Sequence, residues 1–365
     1  MNGICFVNSL RGWGGAEVWM LETAQALAAR GVPAAVIAQP GGELLRRARA
    51  AGVTAAGIPV RFDGAPWTLA ALAWQLRRWR PRALVANLTK DVKAAAVAGK
   101  LAGVPCRLAT RESDFPLKAK GYYRWYFTRA VTGVLVNSEA TRATVLASAP
   151  WLDPDRVHLL YKGVDLGRFR PQGGAPRAGV VGFAGQLIER KGLATLMGAW
   201  ERLEREPAGP ARRLVIAGAG PLRGRLEAWR AGLSRPDAVE LRGHLDDLVP
   251  FYHGLDVLAL PSLSEGFGLV AAEAGACGVP VVASRASSLP EVVADGASGL
   301  LAPPGDPAAL AAALRCLLAE PELAARLGAG GRERVARQFD RERTLDRLLE
   351  LTGLDFTPGG APCRN

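Results

Sequence analysis

Short apolar runs alternate with amphipathic stretches along most of the chain. In the first half, the apolar runs predict strands at residues 3–7, 34–38, 83–87, 107–110, 133–137 and 158–161. Between the first two runs, Val18, Leu21 and Ala24 recur at the spacing of one helix face, and Gly31 follows as a helix stop. This alternation predicts an α/β fold with a parallel sheet that is covered by helices on both faces.

The second half repeats the pattern after a stretch rich in Pro and Gly. Strands are predicted at 180–184, 214–217, 239–242, 256–260, 280–284 and 299–301. Helices are predicted at 192–206, 222–232, 246–253, 269–276, 306–319, 321–337 and 341–352. We therefore expect two Rossmann-like domains whose parallel sheets face each other across a cleft. The predicted N-terminal domain covers residues 1–168 and the C-terminal domain covers 179–340, with a linker at 169–178 between them. After the second domain we expect a helix at 341–356 that packs back on the first domain, and a tail at 357–365.

Composition and charge narrow the class of partner. The chain has 365 residues, 49% of them apolar, which excludes a disordered chain and a disulfide-stapled miniprotein. A net charge of +12 predicts an anionic partner: nucleic acid, an anionic membrane or a phosphorylated ligand. The five cysteines form no CxxC pair, so we expect no metal site and no metal cofactor. No apolar run is long enough to cross a bilayer and no signal peptide is evident, which predicts a cytoplasmic protein.

The sharpest candidate chemistry lies at residues 262–274. A strand ends near Leu260, a turn carries Glu265 and two glycines, and an Ala-rich helix follows. Glycines let a ligand approach the backbone, and the free N–H groups of a helix start favour an anion. Glu273 falls inside the apolar helix, where a carboxylate is suited to accept hydroxyl protons from a ribose or a sugar. The alternative is an exposed Glu265 and a Glu273 that pairs with a nearby Arg.

This stretch resembles the E-x7-E signature of GT-B glycosyltransferases, in particular glycosyltransferase family 4 (glycosyl transferases group 1), and the resemblance runs from Gly12 to about residue 352. In that family the second Glu, which matches Glu273, binds the ribose of a nucleotide sugar. The first Glu, which matches Glu265, approaches the transferred sugar and its leaving phosphate. The resemblance also implies that sugar hydroxyls and phosphate are bound by the intervening amides, here those of Gly266, Phe267, Gly268, Leu269 and Val270.

A second segment, residues 181–192, also resembles the family. By position, Lys191 would hold the diphosphate and neutralise the charge that develops on the leaving group. The alternative is a solvated Lys at a helix start. The family commonly has Arg where this chain has Gln186, which donates a hydrogen bond but carries no charge; Arg190 is a candidate replacement for that cation.

Other site residues follow from the resemblance alone. The loop with Gly14 and Gly15 would lie against the donor phosphates, although many Gly-rich turns are only tight turns. The base pocket would lie near Gly218 and His244, with a buried or solvent-facing His as the alternative. On the acceptor side, many relatives carry a His that this chain lacks, so acceptor binding would fall to Arg111, Glu112 and Asp114, for which structural salt bridges are the alternative.

Two features have competing interpretations. The Asp153-Pro154-Asp155 sequence has the spacing of a metal-binding D-x-D motif, but its Pro and the Arg that follows predict a capped turn. Residues 115–129 and 74–82 mix Lys and Arg with Tyr, Trp and Phe, and no acid interrupts either stretch. An anionic bilayer surface and a core helix with solvated bases are both consistent with that mixture, and single-stranded nucleic acid is the least favoured partner.

Taken with the resemblance, these residues predict a glycosyltransferase that moves a sugar from a nucleoside-diphosphate sugar to a glycan or lipid-linked acceptor. The resemblance implies retention of the anomeric configuration and a role in cell-envelope polysaccharide or glycolipid synthesis. It also predicts peripheral contact with the inner face of the cell membrane. Two other hypotheses are a GT-B nucleotide-sugar epimerase and a non-catalytic protein that binds sugar nucleotides or membranes.

Overall fold

The computed structural model describes residues 1–60, 65–87, 89–117, 121–173, 179–205 and 212–354. The chain divides into two compact units. The first contains residues 1–162 together with the chain from Arg343 onward, and the second contains Gly163–Glu342. Among the helices in these ranges, none is both long and apolar enough to cross a membrane.

The first unit is built on a seven-stranded parallel sheet. In chain order its strands are β1 (Ile4–Asn8), β2 (Ala34–Ala38), β3 (Thr54–Gly57), β4 (Ala83–Ala86), β5 (Cys106–Arg111), β6 (Gly133–Val136) and β7 (Val157–Leu159). Their order across the sheet is β3-β2-β1-β4-β5-β6-β7. Ile4 pairs with Ala34 on one side and with Ala83 on the other, so the strand order reverses direction at β1.

Helices cover both faces of this sheet. They are α1 (Gly15–Ala29), α2 (Glu43–Ala50), α3 (Pro66–Trp79), α4 (Thr89–Leu101), α5 (Gly121–Trp125), which continues as a π-helix at Tyr126–Ala130, and α6 (Glu139–Ser148). Because side chains alternate along a strand, β1 sends Cys5 and Val7 into the core beneath α3, α4 and the π-helix. Ile4 and Phe6 enter the opposite core, beneath α1 and α2.

The second unit has a six-stranded parallel sheet. Its strands are β8 (Val180–Ala184), β9 (Arg213–Ala217), β10 (Val239–Gly243), β11 (Val257–Leu260), β12 (Val281–Ser284) and β13 (Gly299–Ala302). Their order is β10-β9-β8-β11-β12-β13, so the direction reverses between β8 and β11. The helices are α7 (Leu193–Glu204), α8 (Arg223–Ala231), α9 (Val249–Tyr252), α10 (Leu269–Ala276), α11 (Leu289–Val292), α12 (Pro307–Ala319) and α13 (Pro321–Gln338).

The last helix, α14 (Arg341–Thr352), adds to the core of the first unit. Leu345, Leu348 and Leu349 are buried in the same cluster as Ile4 and Phe6. The helix is amphipathic, with its apolar positions three to four residues apart, so these side chains form one apolar face that packs against the core.

The division into units differs slightly from the predicted domain boundaries. The first unit ends at Lys162 rather than at residue 168. Residues after it are fastened to the second unit, where Val164 N–H donates to Phe339 O over 2.7 Å and Arg332 donates to the carbonyls of Leu166 and Phe169. Part of the predicted linker, residues 174–178, and the tail at 357–365 lie outside the described residues.

The parallel sheets and most predicted elements are confirmed, with one strand missed. β3 is a short, partly exposed edge strand of Thr, Ala and Gly, which has neither an apolar run nor an alternating pattern. The predicted turn at Asp153 is also confirmed: its carboxylate accepts a hydrogen bond from Asp155 N–H at the start of a single 3₁₀ turn, Pro154–Arg156.

Candidate functional site

The topology marks one edge of the second sheet as the place for a ligand. In open parallel sheets, ligands bind beyond the carboxyl ends of the strands at the point where the strand order reverses. That point lies between β8 and β11. The chain leaving β8 carries Lys191, and the chain leaving β11 carries Glu265. Two of the predicted site residues therefore follow the two strands that flank this point.

Lys191 and Glu265 form an ion pair. Lys191 Nζ lies 2.8 Å from Oε1 and 2.6 Å from Oε2 of Glu265, so the ammonium bridges both carboxylate oxygens. The side chains are only 11% and 12% exposed, so water screens their attraction weakly. Neither alternative from the sequence holds here: Lys191 is not a solvated Lys, and Glu265 is not an exposed loop residue.

A glycine brings the two segments together. Lys191 ends a one-turn 3₁₀ helix, Glu189–Lys191, and Gly192 follows with φ +71°. A Cβ at position 192 would lie 1.8 Å from the carbonyl oxygen of Pro261, just after β11. Only glycine allows this approach. The backbone contact continues where Leu263 N–H donates to Arg190 O over 2.8 Å.

The turn after Glu265 presents backbone donors at the start of α10. Ser288 Oγ donates to the carbonyl of Glu265 over 2.9 Å, and Gly268 adopts φ +91°, which turns the chain into the helix. The N–H groups of Ala271 and Ala272 bond to Gly268 O, whereas those of Leu269 and Val270 precede any acceptor within the helix. These two N–H groups and the helix dipole suit an anion.

The remaining members of this turn have different roles. Gly266 is buried, and the Phe267 ring is also buried, packing edge-on against Phe339 with 5.2 Å between the ring centres. Phe267 therefore anchors the turn with its side chain and leaves only its backbone for a ligand.

Glu273 is held by a tyrosine that sequence reasoning missed. Tyr252, on α9, is fully buried, and its hydroxyl donates to Glu273 Oε2 over 2.6 Å. Burial, and then the negative charge of Glu273, raise the pKa of Tyr252 well above its usual range. The hydroxyl thus stays protonated and fixes one carboxylate oxygen. The signal in the sequence was weak, because Tyr252 lies 21 residues before Glu273 in an apolar stretch.

The other donor-side candidates line the neighbouring strand ends. Gln186 is exposed in the turn after β8, and Arg190 Nη1 lies 3.5 Å from Ser264 O. Gly218 N–H donates to Gly243 O over 2.7 Å, which joins the turns after β9 and β10. His244 faces solvent, with 55% of its side chain exposed and Nε2 3.7 Å from Asp246. The side chain of His244 is therefore solvent-facing and not buried, and its place in the base pocket stays a prediction.

In the first unit, polar residues gather at the carboxyl edge of the sheet. Lys162 Nζ lies 2.9 Å from Glu112 Oε2, 3.4 Å from Gly15 O and 5.4 Å from the ring centre of Trp19. Gly14 caps the start of α1, and a Cβ at Gly15 would meet no atom within 4 Å. The salt bridge expected as the alternative for Glu112 is therefore present, and Lys162 supplies it.

A buried carboxylate lies next to this group. Glu17 is 2% exposed and accepts a hydrogen bond from Asn8 Nδ2 over 2.6 Å. Burial raises the pKa of Glu17 above its usual range, and the bond from Asn8 opposes that shift. Sequence reasoning missed Glu17, Asn8 and Lys162. For Asn8 and Glu17 the sequence offered one indication, which is their place along the chain: Asn8 ends β1, and Glu17 lies in the first turn of α1.

Arg111 and Asp114 complete the predicted acceptor side. Arg111 Nη2 donates to Phe115 O over 2.7 Å, and burial lowers the pKa of its guanidinium. Its Nε is buried with no hydrogen-bond acceptor among the described residues. Asp114 is half-buried in the same turn. A shallow recess beside Arg111 is lined by Trp19, Thr110, Glu112, Leu135, Val136, Asn137, Leu160 and Lys162.

Comparison with known proteins places both units in glycosyltransferase families. Residues 13–168 match the family model Glycosyltransferase Family 4, and residues 168–334 match the model Glycosyl transferases group 1. A D-inositol 3-phosphate glycosyltransferase of Saccharomonospora viridis is 41% identical over 223 residues, covering 54% of this chain and 50% of the relative. One from Rhodococcus opacus is 35% identical over 238 residues, covering 58% and 51%. The chain thus spans about half the length of the curated relatives it matches.

Solved structures share the fold across nearly the whole chain. A glycosyltransferase from Rickettsia africae has a TM-score of 0.84 at 17% identity and covers 96% of this chain and 97% of its own. HepE of Anabaena in complex with UDP has a TM-score of 0.82 at 20% identity, with 96% and 99% covered. At these identities the likeness establishes the fold, which is GT-B.

Proposed function

We propose, from the premise that the chain belongs to the GT-B glycosyltransferases of family 4, that it transfers a sugar from a nucleoside-diphosphate sugar to a glycan or lipid-linked acceptor. The observation that carries the proposal is the Lys191–Glu265 pair at the strand-order reversal, beside the open N–H groups of α10. A cation, a carboxylate and backbone donors in one place match the parts of such a donor: diphosphate, sugar hydroxyls and ribose.

In this proposal each donor-side group has a separate task. Glu273, with one oxygen fixed by Tyr252, accepts hydrogen bonds from the ribose hydroxyls. The Leu269 and Val270 N–H groups bind the diphosphate, and Lys191 neutralises the charge that grows on the leaving phosphate. Glu265 sets the orientation of Lys191 and accepts from the sugar. The named ligands of HepE, UDP and UDP-glucose, make a uridine donor the first to test.

The acceptor would bind the first unit beside Arg111, Glu112 and Lys162. We propose a retaining transfer, in which the acceptor hydroxyl gives its proton to the departing phosphate, so that no separate base is needed. The bond between sugar and phosphate breaks as the bond from the acceptor oxygen forms on the same face. We place the reaction in cell-envelope polysaccharide or glycolipid synthesis.

A second acceptor class has its own support. The relatives at 35–41% identity are named for D-inositol 3-phosphate, a small phosphorylated polyol. Arg111 and Lys162, both largely buried, offer cations to such a phosphate. Lys162 would then exchange Glu112 for the acceptor phosphate.

The test is a donor screen followed by acceptor-dependent nucleotide release. Thermal shift with UDP-, GDP- and ADP-sugars identifies the donor, because a ligand of the native state raises stability. Nucleotide release is then measured with a lipid-phosphate-linked sugar, with D-inositol 3-phosphate and with neither. Release that requires one acceptor supports the proposal and selects the acceptor class. Conversion of the donor sugar without acceptor identifies an epimerase, and binding without turnover identifies a non-catalytic protein; either result overturns the proposal.

A further inference from the structure

Exposed aromatic side chains concentrate on one face of the first unit. Among the described residues, eight large apolar side chains are strongly exposed, and six of them lie on or beside α3, α4 and α5: Trp67, Trp74, Leu101, Phe115, Tyr122 and Trp125. Their exposures range from 47% to 66%. Large exposed apolar groups that cluster mark an interaction surface, whereas single ones do not.

Helical spacing explains why these side chains point outward together. On α3, Trp67 and Trp74 are seven residues apart and Arg78 follows four residues later, so all three fall on one stripe opposite the buried Leu72 and Leu76. Tyr122 and Trp125 repeat this arrangement three residues apart, opposite the buried Tyr123 and Phe127. The core-helix interpretation of residues 115–129 is therefore correct for one side of the helix and wrong for the other.

Contacts between the helices make the face continuous. Arg77 Nη2 donates to Leu101 O over 2.9 Å, which ties α3 to the end of α4. Lys100 Nζ donates to Arg129 O over 3.1 Å, which ties α4 to the π-helix. Lys93 lies under the Tyr122 ring, 4.9 Å from its centre. The three helices share the core on the Cys5 and Val7 side of the sheet.

Among the described residues of these helices, the exposed charges are all positive. Exposed cations border the aromatic residues: Arg77, Arg78, Lys100, Arg124 and Arg129. The described part of these helices carries a single acid, Asp91, which is fully buried and accepts from Ser9 N–H over 2.8 Å. Outside the helices, Asp114 stands beside Phe115 and is half-buried. A face with aromatic side chains and unopposed cations complements an anionic lipid surface.

We infer that this aromatic–basic face, defined by Trp67, Trp74, Leu101, Phe115, Tyr122 and Trp125 with the bordering cations, docks the protein on an anionic phospholipid bilayer. The Trp and Tyr rings enter the headgroup region and the Arg and Lys side chains pair with lipid phosphates. Phe115 follows Arg111 by four residues and accepts a hydrogen bond from it. If the proposed function holds, docking brings a lipid-linked acceptor to Arg111 in the first unit.

The experiment is flotation of the purified full chain with vesicles, which needs no enzymatic activity. Phosphatidylglycerol-containing vesicles are compared with pure phosphatidylcholine vesicles for three double variants and the wild type. Arg78→Glu/Arg124→Glu reverses charge on the face, and Trp74→Ser/Trp125→Ser removes its aromatic anchors. Arg46→Glu/Arg49→Glu is the matched control. It changes the net charge of the protein by the same amount as Arg78→Glu/Arg124→Glu, but the substituted residues are on α2, which covers the opposite side of the sheet. Circular dichroism verifies that each variant folds.

We expect wild type and control to float with the anionic vesicles only, and each face variant to lose more than about tenfold in vesicle partitioning. Quenching of Trp fluorescence by brominated lipid should be weaker in the Trp variant. Equal flotation of face and control variants, or no flotation of the wild type, overturns the inference. It is also overturned if the Trp variant dissociates a stable oligomer in sedimentation, or if the face binds single-stranded oligonucleotides in preference to vesicles. Because flotation is independent of turnover, its failure and the failure of the glycosyltransferase assay are separate results.

Discussion

Lys191 Nζ contacts both carboxylate oxygens of Glu265, at 2.8 and 2.6 Å, although the two residues are 74 positions apart. Each residue neutralises the other when no ligand is present, which avoids a lone charge in a nearly buried place. Under the proposed function, the diphosphate of the donor is a second anion for this ammonium. The ion pair with Glu265 then holds Lys191 in one orientation before the donor binds.

Replacing Lys191 with Met should lower kcat by about 100-fold or more, because removing one preorganised group that stabilises the leaving charge typically costs that much. Glu265 would also lose its counter-charge. Lys191→Arg should recover part of the rate, since it restores the charge with a different reach. Steady-state kinetics with the donor found by thermal shift provide the measurement. Full turnover by Lys191→Met, in a protein with wild-type melting temperature, would rule out a leaving-group role.

Glu273 and Tyr252 should act as one unit in nucleotide binding. Glu273→Gln removes the charge that accepts the ribose hydroxyls, and we expect about tenfold weaker binding of the nucleoside diphosphate. Tyr252→Phe removes only the 2.6 Å bond that positions the carboxylate, so its effect should be smaller, about threefold.

A double-mutant cycle by calorimetry separates positioning from packing. In the Glu273→Gln background, Tyr252→Phe should weaken nucleotide binding much less than it does in the wild type, because its partner charge is gone. Strictly additive effects would mean that Tyr252 acts through the fold alone. Unchanged affinity in Glu273→Gln would contradict the ribose role.

Local sequence patterns predicted most helices and strands of this molecule. The features that they missed depend on contacts between residues that are far apart in the sequence. Helix α10 was predicted at its observed bounds, 269–276, because a glycine turn and an Ala-rich run define it locally. Tyr252 could not be assigned to Glu273, because the two residues lie on different helices and meet only through a side-chain hydrogen bond in the folded protein. Likewise, Lys162 could not be assigned to its partner Glu112, which lies 50 residues away at the end of another strand. Spacing along the chain reports neighbours on one element but not neighbours across a sheet.

Gly192 offers a test of the backbone contact that positions Lys191. Gly192 and Gly296 have the same φ of +71°, but a Cβ at 192 would meet Pro261 O at 1.8 Å, whereas one at 296 meets nothing within 4 Å. Gly296→Ala should thus cost only the backbone strain, about 1 kcal/mol of unfolding free energy. Gly192→Ala should cost at least about 2 kcal/mol more, because strand ends must move apart. Urea unfolding of both variants measures the difference. Equal destabilisation would show that the contact with Pro261 is easily relaxed.

The buried Glu17 predicts a pH-dependent stability. Burial raises the pKa of Glu17 in the folded protein above its unfolded value, so the folded state holds the proton more tightly. As pH rises from the unfolded pKa to the folded pKa, the unfolded chain loses its proton first and the free energy of unfolding falls. The contribution of Glu17 is therefore favourable in acid and is lost as pH increases through this window, above which the penalty is constant.

Glu17→Gln should remove that dependence. The amide oxygen of Gln can still accept the bond from Asn8, and the charge that must be desolvated is absent. Relative to wild type, we expect Glu17→Gln to gain stability as pH rises from about 4 towards neutral, and the gain then to level off. Urea unfolding at a series of pH values measures it, with the exposed Glu189→Gln as a control that should show little difference. A wild-type protein that becomes more stable than Glu17→Gln as pH rises would mean that the charges of Lys162 and the helix dipole outweigh burial at Glu17.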